Sequence, residues 1–391
     1  MIEKYYSGVI EQIYNRIGKE TRNIVMANYS NDFSIENLEV IRRYQSNEDN
    51  VFFAYSEFSY NTLVGAYEPF LDIICNMHRR FIGGSFDDFQ KECGVYYLHR
   101  QVLNSYYETG ECFREETVLL NEVAYEQRRM TKAIVDMLKR LSEVRPLMIV
   151  INRFQMASKS SIETIKYLID NPCTNIGIVL GVNVQVKGTD STVEVWDRIV
   201  ESLEDRSAIY YIGSAGQQKN HIRDTSDDEL YITTNFEQSI QEASNIMEFL
   251  DYEQAKRGCR IIEHKIKFED AWIDEKSLRR FYFIYARTSV LLGEMSKAIE
   301  LTNEYKALIP ESDSEHYFSL YYFMKGTCYM YQGKLEKAEG CAKKAYDYAL
   351  LADDELLEFK SELLSVMIKM SGWYNIFFCV QDIPVLSLIH I

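Results

Sequence analysis

A parallel α/β sheet domain followed by an all-α solenoid of repeated helix pairs is the fold this sequence predicts. Three observations point to it. Short unbroken apolar runs alternate with amphipathic stretches over residues 1–213, as buried parallel strands alternate with the helices that cross between them. Past the polar stretch Ser214 to Asp228, no run reads as a strand. The last third then repeats small residues at a period near 40: Ala286, Gly293 and Ala298 are matched by Gly326, Gly333 and Ala338.

The opening helix is predicted over Met1 to Thr21, where Tyr6, Val9, Ile10, Ile13, Tyr14 and Ile17 form a stripe closed by Gly18. Asn23 to Ala27 (NIVMA) reads as a buried strand, followed by the loop NYSNDFS at 28–34 and a helix with Leu38, Ile41 and Tyr44 on one face. VFFAY at 51–55 is a second strand, and GAYEPFLDIICNM after it puts Pro69 in the first turn of a helix. Aromatic-rich helices fill 71–141, with a break at Gly83–Gly84 and a last helix from Glu116 to Leu141. The strand Leu147 to Ile151 follows and is expected beside NIVMA in the sheet. Ile162, Ile165, Tyr167 and Leu168 give the helix behind it. NIGIVLGV at 175–182 and IYYI at 209–212 are the remaining strands.

LLGEMSKAIELTNEYKALIP and YQGKLEKAEGCAKKAYDYAL carry the repeat, with weaker copies at FLDYEQAKRGCRII from 249 and at Ser365 to Gly372. Such helix pairs cannot bury their faces singly, so they stack. The expected boundaries are a sheet domain at 1–213, a connecting helical segment at 214–245, repeats at 246–379 and a tail at 380–391. In the tail, VQDIPVLSLIHI leaves the repeat pattern and LSLIHI reads like a translated sequencing adapter, so the natural chain is expected to continue past about residue 380.

A length of 391 residues allows two or three cores, and 47% apolar residues with only five prolines imply an ordered, largely helical protein. The 29 tyrosines and 20 phenylalanines fit helix packing. A formal charge of −16 opposes general attraction to a phosphate backbone, which depends on Lys and Arg displacing counterions, so no nucleic-acid partner is expected. Eight cysteines without a CxxC pair, and no signal peptide, favour free thiols in the cytoplasm. No apolar run reaches membrane-spanning length. The six histidines lack metal-ligand spacing and no serine sits in a GxSxG elbow, so neither a metal site nor a catalytic residue is nominated.

IVINRFQMASKSSIETIKYL at 149–168 resembles the second-strand segment of the bacterial STAND-class signal-transduction ATPases. There an AAA-like, P-loop nucleotide module precedes tetratricopeptide (TPR) repeats, and LuxR/MalT-type members add a DNA-binding helix-turn-helix. The hydrophobic strand, Gln155, Ala157 and Ser161 keep the family pattern, while the family's two aspartates fall on Asn152 and Arg153 and its tryptophan on Met156. AYEPF at 66–70 is similar to the family's Pro-Tyr/Pro-Phe stretch, and GIVLGVN, ending at Asn183, to its sensor strand. The phosphate loop departs. Where the family has G-x-x-G-x-G-K-[ST], this chain has NYSNDFSI from Asn28, with Asp32 in a glycine place, Phe33 in the lysine place and Ser34 in the Ser/Thr place. The resemblance covers about residues 1–375 in architecture and implies an AAA/P-loop-like domain followed by a TPR-like solenoid.

Its carboxylates are the family's means of holding Mg²⁺ and polarising water, and neither Asn152 nor Arg153 can do this. Loss of the lysine alone removes about 1.5–3 kcal/mol of charge-assisted bonding, or about ten- to hundredfold in affinity. A pseudo-ATPase is therefore expected, without hydrolysis, with weak or no ATP binding and with no other cofactor. It would act as a regulatory scaffold in signal transduction. The repeats would take a protein or peptide partner, with Tyr282, Tyr285, Tyr322, Tyr329 and Tyr331 on or near the inner helices as candidates. The plainer reading packs these tyrosines between repeats. Other readings stay open. NIVMANYSNDFSI is equally any strand, loop and helix. Ser34, loop amides and Arg153 could hold a phosphate without magnesium, as in an ATP-binding STAND switch. The chain could also be a fragment of a transcription regulator lacking its DNA-binding output domain.

Overall fold

The apolar runs become β1 (Ile24–Tyr29), β2 (Phe52–Glu57), β3 (Leu147–Asn152), β4 (Ile176–Asn183) and β5 (Ile209–Ile212) of one sheet, ordered β2-β3-β4-β1-β5 with every pair parallel. The computed structural model describes residues 2–30, 38–46, 50–59, 63–112, 122–184, 193–212, 235–268, 273–312 and 314–380. It divides into two compact units, Met1–Ala271 and Trp272–Ile391.

β1 and β3, expected side by side, have β4 between them. β4 pairs with β1 from Ile24↔Ile178 to Tyr29↔Asn183 and with β3 from Leu147↔Ile176 to Ile151↔Leu180. The reason is burial: β4 is buried at every position, and such a strand is satisfied only where both edges are paired and both faces covered.

Strand order fixes where the helices lie. The β1-to-β2 connection runs one way across the sheet and the later connections run the other way, so right-handed crossovers put them on opposite faces. On one face, α1 (Ile2–Arg16) packs over β4, β1 and β5 with α2 (Glu39–Ser46) beside it. Two glycines of β4 permit this close approach: a Cβ on Gly177 would lie 2.8 Å from Ile17, and one on Gly181 would run into the Tyr6 hydroxyl. After β2 come α3 (Phe70–Met77), continued by one π turn, then α4 (Phe86–Glu92) and α5 (Tyr97–Thr109). On the opposite face α6 (Val123–Val144), α7 (Lys159–Asp170) and α8 (Val193–Asp205) pack in a row.

An antiparallel pair, α9 (Phe236–Glu248) and α10 (Tyr252–Phe268), completes the first unit. The sequence-based boundaries at 213 and 245 assign α10 to the repeats, whereas the compact units divide at 271/272. Buried polar bonds explain the attachment. Asp251 caps α10 by accepting from Gln254 N (3.4 Å) and also accepts from Ser160 N (3.0 Å) at the start of α7. Gln254 Nε2 donates to Val64 O at 3.0 Å, and Lys159 is paired with Glu253 at 2.8 Å.

The second unit consists of α11 (Glu275–Leu291), α12 (Met295–Ala307), α13 (Ser314–Tyr331), α14 (Leu335–Leu351) and α15 (Glu355–Val380). Its two helix pairs share a turn in which Gly293 and Gly333 are left-handed, at φ 77 and 72. The bonds repeat with them: Gly293 N to Val290 O and Glu294 N to Ser289 O recur as Gly333 N to Met330 O and Lys334 N to Tyr329 O. The same turn joins α9 to α10, with Leu250 left-handed at φ 69, and α14 to α15, with Asp353 at φ 53. In the third copy at Ser365 to Gly372, Gly372 lies inside α15 rather than at a turn. Residues 381–391 of the expected tail lie outside the described residues.

Candidate functional site

In an open parallel sheet, ligands meet the carboxyl ends of the strands where the connections diverge to opposite faces. Here that point is the junction of β1 and β4, with the end of β3 beside it. Asn152, the last residue of β3, is fully buried and accepts from Tyr29 Oη at 2.5 Å through Oδ1. Its Nδ2 donates to Glu57 Oε1 at 3.2 Å from the end of β2, in keeping with the Glu57↔Asn152 register. Glu57 Oε1 also pairs with Arg153 Nη1 at 3.1 Å, while Tyr55 Oη donates to Glu57 Oε2. Arg153 Nη1 further donates to Phe58 O at 3.4 Å.

Backbone shape aims the guanidinium. Arg153 is left-handed (φ 54), so the chain turns off β3 into the short 3-10 turn Phe154–Met156. Within that turn Phe154 is buried against Trp196, and Gln155 Oε1 accepts from Asn183 N at 3.3 Å. Below the network lies Tyr6, buried beside Tyr29 at a ring distance of 6.4 Å. Burial first, and then the nearby Tyr29 and Glu57, push the Tyr6 hydroxyl well above its ordinary pKa, so it stays protonated.

Glu57 brings a carboxylate to the edge where Asn152 and Arg153 supply none, but a guanidinium, an amide and a hydroxyl already engage it. Any phosphate reaching Arg153 would compete with Glu57, and a cation at Glu57 would compete with Arg153. Among the described residues, no group of three or more His, Cys, Asp and Glu side chains is placed to hold a metal. Two polar atoms near the same edge lack hydrogen-bond partners: Asn28 Oδ1 on β1 and Gln155 Nε2, the latter on a residue only 5% exposed.

Of the sequence candidates, Asn28, Asn152, Arg153 and Asn183 all sit at or next to the carboxyl ends of β1, β3 and β4. Asp32, Phe33 and Ser34 lie outside the described residues. Tyr285 is only 2% exposed and packs on Phe281, so it offers no surface to a partner. Tyr282, Tyr322, Tyr329 and Tyr331 are half-buried. Tyr322 stacks on Tyr348 at 5.7 Å, and Tyr329 and Tyr331 pack on the cluster of Met330, Ala338, Ala342, Leu364 and Ile368.

No family model matches this chain, and no curated protein matches it. Sequence reasoning passed over two residues the geometry brings forward. Glu57 stands two positions beyond VFFAY, and its alternation with Tyr55 on one side of β2 was the available signal. Asp251 opens Asp-Tyr-Glu-Gln, a helix-start signature with Gln254 three residues on. Among the described residues no helix is long and apolar enough to cross a membrane.

Proposed function

We propose that this chain is a non-catalytic, STAND-like regulatory protein of the cytoplasm: a degenerate nucleotide-binding module that supports a TPR-like arm, with recognition carried out by the helices. The observation that carries this reading is the closed network Tyr29–Asn152–Glu57–Arg153. Charge for phosphoryl transfer has to be stabilised by free cations and carboxylates at the strand ends, and among the described residues there Glu57 and Arg153 neutralise each other. The parallel sheet and the recurring helix-pair turn support the architecture.

Titration calorimetry with ATP, with and without magnesium, together with a phosphate-release assay, tests this. The expected result is no release above a no-protein blank and no binding tighter than about 1 mM, near 4 kcal/mol. Magnesium-dependent release that disappears on Asn152→Ala would overturn it.

A second reading, nucleotide binding without hydrolysis, is favoured by Asn28 Oδ1 and Gln155 Nε2. An unsatisfied buried polar atom costs about 1–3 kcal/mol, which a ligand offering a donor and an acceptor would recover. Micromolar ATP binding that weakens in Gln155→Leu, without phosphate release, selects it.

A further inference from the structure

Arg145 stands where α6 gives way to β3, at the amino end of the strands and about 20 Å along β3 from the Asn152 network. Its N–H closes α6 by donating to Leu141 O at 3.0 Å, and its backbone then runs extended (φ −148, ψ 120). The side chain lies over the Phe81 ring, with the guanidinium carbon 4.7 Å from the centroid. Phe81 belongs to the π turn His78–Ile82 that continues α3, and it meets Phe52 of β2 edge to face at 5.8 Å. Phe52 N donates to Pro146 O at 2.8 Å, which holds β2 against the residue after Arg145. Strand pairing and ring packing thus fix where this guanidinium sits.

Held there, it has nothing to bond. Among the described residues no hydrogen bond or ion pair reaches the Arg145 side chain, although it is half-buried and its Nε is shut off from solvent. Glu143, the nearest acid in sequence, is taken by Arg140 at 2.8 Å. In a chain of net charge −16, a half-buried cation without a carboxylate is against the prevailing balance. A second guanidinium shares the ring: that of Arg80 lies 5.4 Å from the Phe81 centroid and 5.8 Å from that of Phe52. The two charges are therefore no more than about 10 Å apart, one screening length at 0.1 M salt, and each raises the potential at the other. Ile82 and Val144, next in the chain to Phe81 and Arg145, are 39% and 51% exposed and add apolar surface beside the pair.

We propose that Arg145 anchors a binding site for an organic carboxylate, with Arg80 adding attraction and Phe81, Ile82 and Val144 meeting the ligand's apolar body. The Nε side of the guanidinium is buried, so its two Nη groups are the edge presented to solvent, and they match the two oxygens of a carboxylate in a pair of parallel bonds. Stacking on Phe81 has already ordered the side chain, so binding sacrifices little rotamer freedom. One half-buried guanidinium neutralises one charge. A carboxylate suits it, whereas the second charge of a phosphate would enter an apolar edge without a close partner. The site lies at the opposite end of the sheet from the Asn152 network, so it stands whether or not that network admits nucleotide.

Titration of the full chain with benzoate, followed by NMR at the Arg145 Nε–H and the Ile82 methyl groups, tests it. Both signals are expected to shift and to saturate with a Kd of about 1 mM, the range open to so small a ligand. Sodium chloride at matched ionic strength should leave them in place. Acetate, which lacks the apolar body, and phenyl phosphate, which brings a second charge, should each bind about threefold or more weaker. Arg145→Gln should abolish the Ile82 response with an unchanged melting curve, and Arg145→Lys, which keeps the charge but loses the fork, should weaken binding about tenfold. A shift that chloride reproduces, a response that never saturates, acetate or phenyl phosphate binding as tightly as benzoate, or an Ile82 response that survives Arg145→Gln would each overturn the proposal.

Discussion

Glu57 joins the ends of β2 and β3 at one carboxylate, with Arg153, Asn152 and Tyr55 all bonded to it. Its side chain is 16% exposed and that of Arg153 is 21%, so removing one partner strands a largely desolvated charge. Glu57→Gln and Arg153→Met are each expected to cost about 1–3 kcal/mol by urea denaturation, and the double variant less than the sum of the two. Asp251 gives a pH signature. Burial, the largest influence, raises its carboxyl above the ordinary 3.8, against the lowering bonds from Ser160. The folded protein therefore keeps this proton where the unfolded chain has lost it, so stability falls as pH rises through that window and is flat above it. Asp251→Asn is free of this effect. Its stability relative to the parent should improve from about pH 4 to about pH 7, measured by denaturant midpoints. A constant difference would show that Asp251 titrates normally.

The strands were legible because each is an unbroken apolar run, and β3 and β4, buried throughout, are the plainest of them. Their neighbours were not legible, since one strand's residues do not say which edge it pairs. Gly181 could have hinted at it. A Cβ there would meet Tyr6 and come within 2.8 Å of Asn152 Oδ1, so Gly181→Ala is expected to cost about 1–3 kcal/mol and to disturb the network at the same time. The repeat was legible through its turns, because Gly293 and Gly333 are needed at positive φ, whereas Gly372 reads like a turn residue yet lies within a helix. Two glycines, one in the turn before α14 and one within it, separate these roles. Gly333→Ala, at φ 72, should destabilise by about 1–2 kcal/mol. Gly340→Ala, helical with nothing within 4 Å of the new methyl, should stabilise by up to about 1 kcal/mol. Thermal melts of the pair would check both signs.

At the scale of the whole molecule, the division at 271/272 places α9 and α10 in the same compact unit as the sheet. A fragment of residues 1–271 is expected to unfold cooperatively. One ending at 213 loses Asp251 and Gln254, leaving the Ser160 amide and the Val64 carbonyl without their partners, and should melt at a lower temperature or aggregate. Equal melting of the two fragments would contradict this. The strand order also sets a timetable for synthesis. Ile24 finds its partner at Ile178, so at about 5–20 residues per second β1 leaves the ribosome roughly 8–30 s before β4 exists to receive it. During that interval a nascent apolar strand has both edges open, and holding it apart from neighbouring polypeptides is work for a chaperone.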